Sequence, residues 1–324
     1  LSTVFVGLIF FFFIFTLFKS PNLKMLKNLR HHILLHAIIF LWGFTGILGK
    51  LIMLDSMVIV WWRLLIAFVA LWVFLKIRKW KFQVYSRKQL FGIIGVGAFV
   101  GLHWVTFFLA IQLSTASLAI LCLSTATLHV AWLEPIIMKK RFLKTEFVFG
   151  LLIIAALIFV SGDFSSTDYL ALFVGLLSAL FASLFSVFNA RLVQTNKSST
   201  ISLIEFFVAF FLLSIYLIAK GDFNSSLFVM TASDFLWLLF LGIVCTSFAF
   251  LVVVDLVKRL GAFTVSLSIN MEPVYTIVLA IVILGENQLL NYKFYVGTII
   301  IVLVVVANGV VKYYMKVKAL NKLK

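Results

Sequence analysis

The chain has 324 residues, 64% of them apolar and only 12% charged, with a mean hydropathy of +1.20. Soluble chains average roughly 45–50% apolar and about 25% charged, so this composition excludes an ordinary soluble domain and indicates an integral, all-α membrane protein. The formal net charge is +16, but where the basic residues fall matters more than their sum, and the total alone implies no nucleic-acid partner.

The chain opens on LSTVFVGLIFFFFIFTLFKSP, whose apolar run is shorter than the roughly 20 residues that cross the hydrocarbon. Three readings are open. It is an extra N-terminal span, or a signal-like segment lacking a basic n-region and a small-residue cleavage site, or sequence lying upstream of a true start at Met25. The last is the working reading. Residues 1–30 are then an apolar extension (1–24) followed by a basic leader.

Ten segments after the leader are long and apolar enough to read as spans, the fifth only marginally: 34–54, 57–77, 90–111, 114–138, 146–161, 169–190, 200–219, 234–257, 261–284 and 292–311. Lys and Arg alternate between the intervening loops. The leader, the loops near 76–88, 139–144, 191–197 and 258–259, and the tail hold 23; the opposite loops hold two, Lys220 and Lys293; Lys50 and Arg63 fall inside spans. Basic loops stay cytoplasmic, so both termini are expected inside a bacterial-type plasma membrane.

Five spans lie in 31–163 and five in 164–312, followed by a basic tail at 313–324. An odd number of spans per half makes the second half inverted relative to the first, a signature of secondary transporters. Weak internal similarity agrees. VWWRLLIAFVAL (60–71) lies against SLIEFFVAFFLL (202–213) at a shift of 142, which pairs Arg63 with Glu205. A shift of 147 aligns spans four and nine, matching Leu113 with Leu260, Phe147 with Phe294 and Gly150 with Gly297, and setting Thr125 opposite Glu272. Matching Glu134-Pro135 to Glu272-Pro273 needs a different shift and spoils the rest.

The ninth span contains NMEPVYTIVLAIVILGE. With ten spans, both ends inside and a five-plus-five duplication, this motif resembles the EamA family of the drug/metabolite transporter superfamily. The resemblance covers about residues 31–311, and LSTATLHVAWLEPIIMKKR in the first half resembles a branch of the same family. It implies a ten-helix basket of two inverted repeats around a central cavity, and transport of small metabolites, often amino acids.

Polar residues inside spans are the candidate site. Glu272 is roughly 16 Å into its span at 1.5 Å per residue, where a charge costs roughly 2.5–3.5 kcal/mol. Ser268, Glu272, Tyr275 and Thr276 share one helical face, and Asn270 lies in the same motif. Pro273 removes a backbone donor and crowds the carbonyl of residue 269, so a kink and a polar notch are expected at half depth. The alternative is a structural kink with Glu272 bonded to a neighbouring helix. In span four, Cys122, Thr125, His129 and Trp132 fall on one stripe. Arg63, beside Trp61 and Trp62, reads as a substrate or gating residue or as an interfacial anchor. His103 and Trp104 lie deep in span three, and Glu205 is an inner gate or charge partner. Small residues such as Gly43, Gly46, Gly97, Gly101 and Gly175 read as helix-packing positions.

The expectation is a secondary transporter that exports small organic metabolites such as amino acids by alternating access. It works in the lipid bilayer as a monomer or homodimer, without a cofactor and with proton coupling open. The alternative is an antiporter for nucleotide-linked or phosphorylated metabolites, which needs more buried cations than Lys50 and Arg63. A membrane-embedded enzyme ranks last. Cys122 and Cys245 form no ligand cluster, no nucleophile–base pair stands out, and there is no nucleotide-binding loop.

Overall fold

The computed structural model describes residues 24–80, 85–139, 141–161, 164–260, 265, 268–269 and 271–321. The readings made for residues 1–23 and for Asn270 fall outside them.

Among the described residues the fold is all-helical. In chain order the helices are α1 (Lys24–Leu51), α2 (Ser56–Ile77), α3 (Arg87–Leu113), α4 (Ala116–Leu123), α5 (Ala126–Met138), α6 (Lys144–Val160), α7 (Ser166–Leu192), α8 (Ser198–Lys220), α9 (Ala232–Leu239), α10 (Ala249–Leu260), α11 (Glu272–Leu279) and α12 (Tyr292–Asn321). A π-helical stretch, Phe240–Phe248, joins α9 to α10, and a second, Ala280–Leu284, extends α11. Eight segments among the described residues are long and apolar enough to cross a membrane. Two further apolar segments are shorter: Lys144–Val160, at 17 residues, and Glu272–Leu284.

Local sequence explains where the helices start and stop. Ser86 with Gln89, Ser165 with Asp168 and Thr231 with Asp234 form reciprocal capping boxes on α3, α7 and α9, satisfying amides that the first helical turn leaves free. Span four breaks at Ser124-Thr125, where Thr125 Oγ1 donates back to the Cys122 carbonyl at 2.7 Å, a side-chain bond that competes with regular helix. Helix α11 begins at Glu272, with Pro273 in its first turn, a position at which the missing N–H costs nothing. Residues 268–269 before it are helical too and Met271 is a turn, so the chain changes course between helical residues next to Pro273. The Glu272 carboxylate sits at the positive end of the α11 dipole. The extension of α11 stops at Gly285, whose φ of +68° needs no Cβ.

Packing relies on small residues. A Cβ on Gly97 would meet Val208 Cβ at 2.9 Å, and one on Gly175 would meet Cys122 Cβ at 2.8 Å. These contacts bring α3 onto α8 and α4 onto α7. Gly43 and Gly46 likewise admit Thr276 of α11 against α1. The outward faces are apolar, with Phe211, Ile215 and Ile218 of α8 and Ile299, Leu303 and Val310 of α12 all exposed, as expected of surfaces that meet lipid tails.

One end of the bundle is laced by hydrogen bonds between elements. Met53 N–H donates to Asp234 at 2.8 Å, Ser56 N–H to Gln112 at 2.9 Å, and the Gln112 amide to the Leu54 carbonyl at 2.7 Å. The hydroxyl of Ser114 donates to Asp168. Glu286 accepts from the backbone of Ala116 and Ser117. At the opposite end Gln89 bridges to Asn196 at 3.1 Å.

Candidate functional site

Between the helices lies a cavity of about 410 Å³. Its polar lining comes from helix breaks and π turns as much as from regular helix. The first turn of α11 supplies Glu272 and Pro273, and the break between α4 and α5 supplies Ser124, with Thr127 just after it. Breaks of this kind expose backbone and polar side chains at membrane depth only where they line a cavity.

Arg63 is the cation of the site. It is 5% exposed. Its Nε donates to Thr246 Oγ1 at 3.0 Å, and its guanidinium carbon stands 3.8 Å from the Trp104 ring centroid. Thr246 in turn donates to the carbonyl of Leu241, five residues back, at 2.7 Å. The π-helical register of Phe240–Phe248 therefore turns the hydroxyl oxygen toward Arg63, and such bulges recur at functional sites. Among the described residues the guanidinium has this one hydrogen bond and the indole face, and a planar guanidinium carries further N–H donors that suit an anion. Glu272 lies within electrostatic reach of Arg63, so the cavity holds acid and base in one neighbourhood.

His103 lines the same cavity but is anchored to α7, its Nδ1 lying 2.9 Å from Ser178 Oγ and 3.1 Å from the Ser178 carbonyl oxygen. Trp104 packs on Phe206 at 5.8 Å between centroids. Glu205 is 2% exposed and also lines the cavity, beside Asn189 of α7.

The structure therefore brings Arg63, His103, Trp104, Glu205, Glu272 and Pro273 together around one space. The other candidates sit elsewhere. Tyr275 turns to α1, its hydroxyl 2.9 Å from His36 Nδ1. Thr276 is fully buried against Gly43 and Gly46, with Oγ1 donating to the Glu272 carbonyl. Thr125 is fully buried at the span-four break. His129 meets Trp132 edge-on, and Ser268 lies outside the cavity lining. Of the stripe expected on span four, Cys122 and Thr125 are fully buried, while His129 and Trp132 lie beyond the break at Ser124-Thr125 and pack on each other. Sequence reasoning missed Asn189, Thr246 and Thr45, which also line the cavity. Asn189 carried a signal, since an amide within an apolar 27-residue helix is costly unless partnered. Thr246 carried none, because nothing in FLGIVCTSF announces a π turn.

A bundle of apolar helices with lipid-facing exteriors and a polar-lined internal cavity defines a multi-pass integral membrane protein. The chain belongs to the EamA-like transporter family, whose model matches residues 29–162 and again 169–309, within the drug/metabolite transporter superfamily. It is also similar to an uncharacterized transporter of Clostridium kluyveri, with 26% identity over 165 residues, 51% of this chain. The chain matches about half the length of that relative (50%). A solved crystal structure shares the fold at a TM-score of 0.59 and 17% identity, covering 84% of this chain and 96% of the other.

Proposed function

We propose that the protein is a secondary transporter that exports small organic metabolites, such as amino acids, by alternating access around the Arg63–Trp104–Glu272 cavity. The observation that carries this reading is the cavity itself: about 410 Å³, a size suited to a small solute, with Arg63 and Glu272 in one lining to meet groups of opposite charge. Arg63 is the only Lys or Arg among the described residues that line it. That favours a small solute over the nucleotide-linked or phosphorylated substrates of the alternative antiporter, which call for several cations.

The reading includes ten spans in two inverted halves, with α6 and the segment from residue 261 to 284 as the fifth and ninth. Helix contacts support it. If spans one to five correspond to six to ten, α3 on α7 has its counterpart in α1 against the Phe240–Phe248 segment and α10. In the same way, α4 and α5 on α7 match α11 on α1, and α3 on α8 matches α2 on the Phe240–Phe248 segment. The self-corresponding pairs, α2 with α8 and α6 with α12, also touch. Both broken spans end in a left-handed residue, Lys139 and Gly285. With basic loops cytoplasmic, the hydrogen-bonded end faces outward, and the cavity belongs to a state closed on that side.

Metabolite profiling of cells and medium, with and without overexpression, tests the reading. A small group of amino acids or related metabolites should accumulate in the medium. An unchanged profile with the protein inserted in the membrane contradicts it.

A further inference from the structure

We propose that Glu205 and Asn189 form a subsite for a singly charged cation, an alkali-metal ion or an ammonium group, distinct from the Arg63–Glu272 neighbourhood. The inference rests on the transporter reading of the cavity, but its test does not use transport.

The argument begins with two orphan oxygens. Glu205 is on α8 and Asn189 on the facing helix α7; both line the cavity. The Asn189 side chain lies within interaction range of the Glu205 carboxyl. Yet Glu205 Oε1 and Asn189 Oδ1 are both buried without a hydrogen-bond partner. A buried acceptor left unpaired is costly, more so when charged. Two buried acceptors of one cavity, one of them on a carboxyl group, are thus left without a hydrogen-bonded donor.

The surroundings do not neutralise the pair. Among the described residues Glu205 forms no ion pair. The ionisable group in electrostatic contact with it is Tyr85, ahead of α3, whose hydroxyl supplies no positive charge. From α3 itself comes Gly97, where a Cβ would stand 3.0 Å from the Glu205 carbonyl oxygen. From α8 comes Phe206, packed at a tilt against Trp104. Glu272, by contrast, has Arg63 within electrostatic reach. The two acids lining this cavity therefore differ in kind: Glu272 has a cation within electrostatic reach, and Glu205 has none among the described residues.

The chemistry of the donors fixes the class of ligand. One carboxylate gives a single negative charge, and the remaining donors are neutral: the Asn189 carbonyl oxygen and the hydroxyl of Ser186, three residues earlier on α7 and also in the cavity lining. Three residues apart places both on one helical face. Divalent ions are bound through more carboxylates than this, whereas one carboxylate with neutral oxygens suits a monocation. Arg63, the only Lys or Arg among the described residues of the lining, has Glu272 and not Glu205 within electrostatic reach.

The test is thermal unfolding of the purified full chain in detergent, at fixed pH and ionic strength, with NaCl, KCl or methylammonium chloride replacing choline chloride. The wild type should show a saturable rise in melting temperature with at least one of the three over choline. Glu205→Gln should weaken the apparent affinity about tenfold or more, and Asn189→Ser should weaken it too while retaining a small polar side chain. A response to Na⁺ or K⁺ identifies an alkali ion; a response to methylammonium alone identifies an ammonium head group. If no cation exceeds choline, or if Glu205→Gln responds as the wild type does, the proposal fails. If a proton alone occupies the pair, the melting temperature follows pH and ignores all three cations, and the proposal fails again. Because binding is read and not flux, a negative result leaves the transport reading standing, and a measured cation response survives failure of that reading.

Discussion

Glu286 holds the start of α4 by its backbone: its two carboxylate oxygens lie 2.8 Å from the Ala116 nitrogen and 3.1 Å from the Ser117 nitrogen. Glu286 is 2% exposed and follows Gly285, where the π-helical extension of α11 ends. One residue thus ties the end of that extension to the beginning of α4. Glu286→Ala leaves two buried N–H groups without an acceptor, at about 1–3 kcal/mol each. The melting temperature of the purified protein should fall by several degrees, and Glu286→Gln, which keeps one good acceptor, should fall less. Equal melting temperatures for all three proteins contradict this role.

Packing at α6 gives a second expectation. A Cβ on Gly150 would stand 2.5 Å from Leu128 Cβ and 2.6 Å from its Cα, while one on Gly95 meets nothing within 4 Å. Gly150→Ala must push α5 and α6 apart and should cost about 1–3 kcal/mol; Gly95→Ala should be neutral or slightly stabilising. Thermal unfolding of the two variants side by side decides the matter, and similar melting temperatures would count against the contact.

Arg63 should not be replaceable by lysine. Lysine keeps the charge but loses the flat contact with Trp104 and the Nε–H donated to Thr246. For the solute found by profiling, Arg63→Lys should reduce flux at sub-saturating concentration about tenfold or more, corresponding to about 1–3 kcal/mol. Trp104→Phe should fall in between. Wild-type flux in Arg63→Lys would reduce Arg63 to a structural residue.

Orientation is open to a labelling test. Cys122 and Cys245 are fully buried, so background reaction should be low. Ser165→Cys and Asn224→Cys should react with a membrane-impermeant thiol reagent added to intact cells, while Lys79→Cys and Lys139→Cys should react only after permeabilisation. All four positions are exposed. Reaction of the position-79 cysteine in intact cells would overturn the orientation.

Much of this was legible in the sequence, because hydrocarbon thickness and loop charge are strong constraints. The composition and the NMEPVYTIVLAIVILGE motif led to the family. Buried charge was informative in the same way: Arg63, Glu205 and Glu272 stood out in apolar runs, and all three line the cavity. What the sequence hid was local backbone geometry. The break at Ser124-Thr125 sends Thr125 into the protein interior in place of the cavity. Within α11, Tyr275 packs toward His36 and Thr276 on the α1 glycines. A helical wheel gives the face of a residue on its own helix and does not say which neighbouring helix that face meets. Asn189 and Thr246 were missed for a related reason: their importance comes from partners far along the chain, Glu205 and Arg63.

The central claim is that Glu272 is the working carboxylate of a transport cavity and more than the first residue of a helix. The most direct measurement is solute flux in proteoliposomes under an imposed pH gradient, comparing the wild type with Glu272→Gln, which keeps the shape and hydrogen-bonding capacity but cannot ionise. The account predicts that the variant is well folded and loses gradient-driven flux, retaining at most passive exchange; if the carboxylate also holds a substrate ammonium, solute affinity falls as well. Unchanged flux with unchanged pH dependence in a well-folded Glu272→Gln protein would contradict it.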